Sequence, residues 1–243
     1  VPGEGTYTID ENGVVTFTPE PQFTGKASGV TVKRVDKNGT EVTAKYTPTV
    51  KPVTPTSKDA ISEDIQGAKQ TGKPEFTPGK TTVNGVEKTV ELDDTKPATF
   101  EDGSTTKVVP NEGTYTVAPD GTVTFVPEPQ FTGVATGVTV KRVDKNGTPV
   151  TATYTPTVLG ATSTKDVVSE GPKGKPQSNT PVFEGDVDKD VPPTFEDGKT
   201  TKVVPGEGTY TVDKDGKVIF TPERDFVGVT KGVTVKRVDK NGT

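Results

Sequence analysis

VTVKRVDKNGT stands unchanged at residues 30–40, 138–148 and 233–243, and its last five letters decide how the chain folds around it. Asp36-Lys37-Asn38-Gly39 places Asp at the first position of a type I turn and Gly where a positive φ is tolerated. Such a turn closes a three-residue hairpin loop with a glycine bulge. In the register it imposes, Val30 faces Tyr46, Val32 faces Ala44 and Arg34 faces Val42, and every bulky apolar side chain except Val35 falls on one face. A two-residue Asn-Gly turn would divide the same apolar set between both faces. The three-residue loop is therefore expected.

The same logic applies one hairpin earlier. Asp10-Glu11-Asn12-Gly13 turns the chain so that Tyr7 faces Phe17 and Ile9 faces Val15, and its counterparts are Ala118-Pro119-Asp120-Gly121 and Asp213-Lys214-Asp215-Gly216. Six turn glycines follow: Gly13, Gly39, Gly121, Gly147, Gly216 and Gly242. Pro149 replaces Glu41 after the second DKNGT turn, and a proline there implies a strand whose missing N–H points outward, hence an edge strand.

Internal repetition sets the domain organisation. Residues 1–50 match 109–158 without a gap, and 204–243 match the first forty of them. The upstream halves share TSKD with TSTKD and TFEDGSTTKVVP with TFEDGKTTKVVP, while TTVNGVEKTVEL at 81–92 reads as an additional hairpin. The expected units are 1–50, the C-terminal half of a repeat; 51–158, a complete repeat; and 159–243, a repeat lacking its last strand. Further strands near 56–62, 74–77, 81–92 and 97–108 predict an all-β fold of tandem β-sandwich-like repeats, built from antiparallel hairpins without significant helix. The predicted core is Tyr7, Phe17, Val30, Val32 and Tyr46 in the first unit. It is Tyr115, Phe125, Val138, Val140 and Tyr154 in the second, and Tyr210 and Phe220 in the third.

Composition agrees with strands and a thin core. Hydrophobic residues make up 28%, Leu92 and Leu159 are the only leucines, and there is no Met, Trp, His or Cys. Thr, Val, Tyr and Phe favour strands. The 27 Gly and 22 Pro amount to about a fifth of the chain, just short of the level that marks an aperiodic disordered chain. The net charge of −5 comes from scattered acids and bases, so no basic stripe points to a nucleic-acid partner. Without cysteine, neither disulfides nor thiolate metal sites can form. No apolar run is long enough for membrane insertion, and the absence of Met reads as a fragment of a longer protein.

Each candidate site has an architectural explanation. Lys33 and Arg34 are consecutive strand residues that point to opposite faces, with Lys33 solvated and Arg34 expected to pass the core rim into water. NGT at 38–40, 146–148 and 241–243 satisfies the glycosylation pattern, but the turn needs Asn and Gly in any case. Asp213-Lys214-Asp215-Gly216 begins like a calcium loop, yet its twelfth position is Arg224 and Ala118 replaces the first carboxylate in the second copy. No metal, cofactor or catalytic residue is expected, and without His or Cys the chain does not read as an enzyme. A Lys-to-Asn isopeptide crosslink would require a buried lysine, which the sequence does not single out.

GEGTYTV, PDGTV, FVPEPQFTG, GVTVKRVDKNGTPVTATYTPTV and TFEDG together resemble the CshA-type fibril repeats of streptococcal, Gram-positive cell-surface adhesins. The resemblance implies stalk repeats of a fibrillar adhesin, extracellular and held at the cell wall through a region outside this sequence. It also implies that host ligands such as fibronectin bind other regions of the parent protein, with neighbouring repeats in series as the immediate partners. The rival expectation is a module that itself binds a host matrix protein or a neighbouring fibril.

Overall fold

Turn chemistry sets the hairpins in register throughout. A computed structural model describes residues 1–243 as strands and turns, with no helix. Val30 faces Tyr46, Val32 faces Ala44 and Arg34 faces Val42 across Val30–Val35 and Glu41–Tyr46. Gly5–Ile9 and Val15–Pro19 pair Tyr7 with Phe17 and Ile9 with Val15. The six turn glycines have φ between 83° and 90°. Where the turn opens with Asp, one carboxylate oxygen accepts the N–H groups two and four residues on, at 2.8 Å each for Asp36. Ala118 cannot do this, and Asp120 instead accepts the Thr122 N–H at 3.0 Å.

Strands between Ala60 and Leu159 build two facing sheets. One is antiparallel, in the order Thr106–Val109, Gly113–Val117, Val123–Pro127, Gln70–Gly72. The other runs Thr99–Phe100, Val138–Val143, Pro149–Leu159, Gly133–Val134, with Ala60–Ile65 added to the long strand. Their inner faces meet in a core of Ala98, Phe100, Tyr115, Val117, Val123, Phe125, Ala135, Val138, Val140, Tyr154 and Val158. Tyr115 stacks on Phe125 with centroids 4.5 Å apart, and Phe131 meets Phe125 edge-on at 6.5 Å. Such pairs add about 0.5–1.5 kcal/mol each beyond their buried area.

The strand expected at an edge departs from that reading. Pro149 sits at its first position, opposite Val143, where a missing donor is harmless. From Tyr154 onward the other side of the strand pairs with Ala60–Ile65, and this pair is parallel, not antiparallel. Pro156 lies inside the strand, and its carbonyl accepts the Ala135 N–H at 2.9 Å. The pairing depends on segments about ninety residues apart, beyond the reach of local turn patterns.

The additional hairpin forms from Gly79–Val83 and Val86–Val90, closed by Asn84 (φ 50°) and Gly85 (φ 77°), the angles of a type I′ turn. It lies on the linker before it: a side chain at Gly79 would come within 2.6 Å of the Thr54 backbone, and Lys51 Nζ donates to the Thr82 carbonyl at 2.8 Å.

The flanking segments repeat the hairpins with less cover. Tyr7, Phe17, Val30 and Val32 are half-buried, and Tyr46 is 39% exposed, so Tyr46 is not a core residue. The reason is physical: the fully buried Tyr154 is closed over by the upstream strands Ala60–Ile65 and Gln70–Gly72, where Ser62 meets its hydroxyl at 2.7 Å and Gly72 lies against its ring, and residues 1–50 include no counterpart of those strands. Tyr210 and Phe220 are buried with Phe195 and Val212. Downstream, only Val235–Lys236 forms a strand, paired with Thr194–Phe195, and Val229 is 98% exposed.

Candidate functional site

The invariant turn is pinned from inside. Asp144 is completely buried, and its Oδ1 accepts the Asn146 and Thr148 N–H groups at 2.9 and 2.8 Å. Asp239 repeats both contacts with Asn241 and Thr243. The upstream chain holds the outer side: the Lys145 N–H donates to the Glu91 carbonyl at 2.9 Å and the Lys240 N–H to the Asp186 carbonyl at 3.0 Å. In the first unit this cover is absent and Asp36 is exposed; the N–H of Thr40, aided by that of Asn38, holds its carboxyl below the ordinary range.

Arg34 is exposed, as expected, but its copies before the second and third turns are not. The Arg142 side chain is 12% exposed and pairs with Asp94 at 2.8 Å. Its Nε and the Asp144 Oδ2 are buried without hydrogen-bond partners, as are those of Arg237 and Asp239. The upstream segment 91–94, bridged to the turn between Leu92 and Asp144, covers this end of the hairpin and the guanidinium. Lys33 remains solvated, with Glu41 at 3.0 Å.

A second recurring feature lies in the GEGTY and NEGTY stretches. Glu112 is buried: Oε1 accepts the Tyr115 hydroxyl at 2.7 Å, and Oε2 accepts the Thr136 N–H at 2.8 Å and hydroxyl at 2.7 Å. The Tyr115 hydroxyl in turn accepts the Gly137 N–H at 3.2 Å. One carboxylate thus ties the first hairpin of the unit to the start of the second. Burial, reinforced by Glu112, raises the pKa of the Tyr115 hydroxyl. Glu4 holds Ser28 in the same way, and hydrogen bonds from the Ser28 hydroxyl and N–H lower its own pKa. Glu207 keeps only a backbone contact to Lys231, at 3.1 Å. The hairpin logic does not reveal this latch; its sequence signal is an acid three residues before Tyr7, Tyr115 and Tyr210. Close by, Tyr154 meets the Ser62 hydroxyl at 2.7 Å, Ser62 donates to Gln70 at 2.5 Å, and Gln70 donates to the Thr157 carbonyl at 2.9 Å. Every polar group along that buried path has a partner, as burial demands.

The carboxylates serve the backbone rather than a pocket. Asp213 spends Oδ1 on the N–H groups of Asp215 and Lys217, both at 2.9 Å, and Asp215 pairs with Lys214 at 3.0 Å. The buried polar residues are Gln66, Gln70, Glu112, Asp144 and Asp239, with no lysine among them. A surface depression of about 490 Å³ is lined by Gly206, Glu223, Arg224, Asp225, Phe226 and Val227; there Glu223 accepts the Gly206 N–H at 3.0 Å. No helix is long and apolar enough to cross a membrane.

The chain matches the family described as the surface adhesin CshA repetitive domain over residues 1–50, 52–158 and 161–243. It is 66% identical to repeat domain 13 of the fibrillar adhesin CshA from Streptococcus gordonii, a structure determined by NMR. That match covers 28% of this chain and 86% of the other, with a TM-score of 0.18. It is 14% identical to the N-terminal eight Ig domains of Down syndrome cell adhesion molecule, covering 96% of this chain and 34% of that one at a TM-score of 0.33. The human desmocollin-1 ectodomain is likewise 14% identical, covering 99% and 47% at a TM-score of 0.30. The chain therefore spans about a third to a half of the length of these last two, and neither score adds to the assignment. No curated protein sequence matches the chain. With nearly every residue matched in three consecutive segments, the chain belongs to the CshA repetitive-domain family of surface adhesins.

Proposed function

We propose that residues 1–50, 51–158 and 159–243 are consecutive stalk units of a cell-wall-anchored fibrillar adhesin. Their task is to carry a distal ligand-binding region, the part that engages host ligands such as fibronectin, away from the cell surface. The observation that carries this reading is the placement of the repeated residues. What the copies hold in common, the Asp-capped turns, the Glu latch and the stacked Tyr-Phe pairs, is spent on building each unit. Outward positions such as Thr31, Thr43, Thr151 and Thr153 present β-favouring hydroxyls without an apolar patch, as a non-sticky spacer requires. Such units act by length and number and have no reaction to catalyse.

The test is direct binding of the 243-residue chain to fibronectin and other matrix proteins at micromolar concentration and physiological salt, alongside adhesion by cells whose parent protein carries fewer repeats. A spacer gives no saturable binding, and adhesion falls as the array shortens. Saturable binding abolished by substitutions on one face of a unit would establish the adhesive reading instead.

A further inference from the structure

Both junctions between successive units carry a glutamine amide that donates to a carbonyl of the following turn. At the first, the side-chain amide of Gln22 donates to the Asn146 carbonyl. At the second, Gln130 donates to the Gly242 carbonyl at 2.6 Å. Gln22 and Gln130 occupy one position of the repeated loop PEPQF, at 19–23 and 127–131, and both acceptors lie at the Asn-Gly tip of the following DKNGT turn. The contact recurs at adjacent positions of the turn although the Gly79–Val90 hairpin lies between the partners in sequence at the first junction and has no counterpart at the second. A chance approach of flexibly linked units would not repeat when the segments between the partners differ in this way.

Further residues close the second junction. Gln66 is buried, and its amide donates to the Pro129 carbonyl at 3.0 Å and to the Thr243 hydroxyl. Bare backbone permits the approach. A side chain at Gly67 would lie 2.6 Å from Asn241 Oδ1, one at Gly242 would lie 2.9 Å from Gln130 Nε2, and one at Gly147 would lie 3.4 Å from Gln22 Nε2. At Gly39, which no preceding unit of this chain reaches, nothing lies within 4 Å.

The third unit alters both amides together. Asp225 stands where Gln22 and Gln130 stand, Lys173 stands where Gln66 stands, and the two form an ion pair at 3.3 Å. This end of the unit carries the depression lined by Gly206 and residues 223–227, so the face that meets a turn in the other units is already concave when uncovered.

We infer that the DKNGT turn is a docking element: the PEPQ loop of each unit clasps the turn of the next copy through glutamine-to-carbonyl hydrogen bonds, making a joint that fixes the angle and spacing of the array. Asp225 presents only acceptors to a rim of turn carbonyls, so the third unit's end disfavours the same engagement. Such repulsion is a common source of partner selectivity. The joint concerns geometry alone and stands whether or not the faces of the units bind anything.

The absence of cysteine makes the test direct. Thr116→Cys and Thr211→Cys place spin labels at the same exposed position of two successive units in the full chain, and dipolar spectroscopy reads the distance between them. A single narrow distribution is expected. Gln130→Glu should broaden it at least twofold, and Gln66→Lys with Gln130→Asp, which copies the third unit's pair, should do the same. Gln130 is exposed, so Gln130→Glu should leave the melting of the central unit unchanged. Labels at Thr8→Cys and Thr116→Cys with Gln22→Glu repeat the measurement at the first junction. A broad distribution in the parent chain, or a narrow one that survives these substitutions, overturns the joint.

Discussion

Replacing Glu112 by glutamine preserves its shape and removes its charge, which isolates what the latch contributes. The carboxylate accepts three hydrogen bonds, one from Tyr115 and two from Thr136, all between 2.7 and 2.8 Å and shielded from water. Glutamine has one acceptor oxygen. If the oxygen faces Thr136, the amide NH2 meets the Tyr115 hydroxyl, whose proton then has no acceptor. If the amide is turned over, it opposes the Thr136 N–H. Either way one charge-assisted bond is lost and a buried donor is left unpaired, at a cost of about 2 kcal/mol. For a unit of this size that lowers the melting midpoint by about 8 °C or more. Glu4→Gln is the internal control: its bonds to Ser28 are exposed, and water replaces what it loses. The assay is a thermal melt of the full chain followed by NMR, reading Tyr115 and Val140 separately from Tyr7 and Tyr210, because three units need not melt together. A central-unit midpoint that moves no further in Glu112→Gln than the first unit's does in Glu4→Gln would refute the latch.

Three further outcomes are expected. Gly147→Val should destabilise the central unit by about 1–2 kcal/mol, because a β-branched residue is strained at φ 83°; an unchanged melting midpoint would remove the turn's need for glycine. Amide exchange at 229–234, which forms no ladder, should be faster than at 138–143, where Val138–Val143 is paired on both sides of the sheet, and equal protection would contradict the structure. Acid should weaken the fold in a defined window. Hydrogen bonds lower the pKa of Glu4 (from Ser28), Asp36 (from Thr40), Asp93 (from Thr95) and Asp102 (from Ser104). Those from Thr122 and Lys73 bring Asp120 to about 2. Groups lowered on folding stabilise the protein above their unfolded values of about 4, and that contribution disappears as pH falls through the folded ones. Melting midpoints should therefore hold between pH 7 and 5 and fall between about pH 4 and 2; a flat profile to pH 2 would exclude the effect.

The division between what was legible in the chain and what was not follows the range of the interactions. A type I turn with its glycine bulge is decided by four or five adjacent residues, and it fixes every pairing of the strands beside it. Val30 opposite Tyr46 and Tyr7 opposite Phe17 could therefore be read directly from Asp36–Gly39 and Asp10–Gly13. Exact repetition then carried that reading from one copy to the next. Burial is another matter, since Tyr46 and Tyr154 occupy nearly identical sequence surroundings and differ because the strands around Ser62 and Gly72 cover only the second. Sequence pattern was equally silent on the parallel pairing of Ala60–Ile65 with Tyr154–Leu159, the Glu112 latch to Thr136 and the enclosure of Arg142. Each joins segments between about 24 and 94 residues apart, and the glutamine contacts at the junctions join residues more than a hundred apart. Local periodicity records which face of a strand is apolar; which distant segment arrives to cover that face is decided only when the whole unit packs.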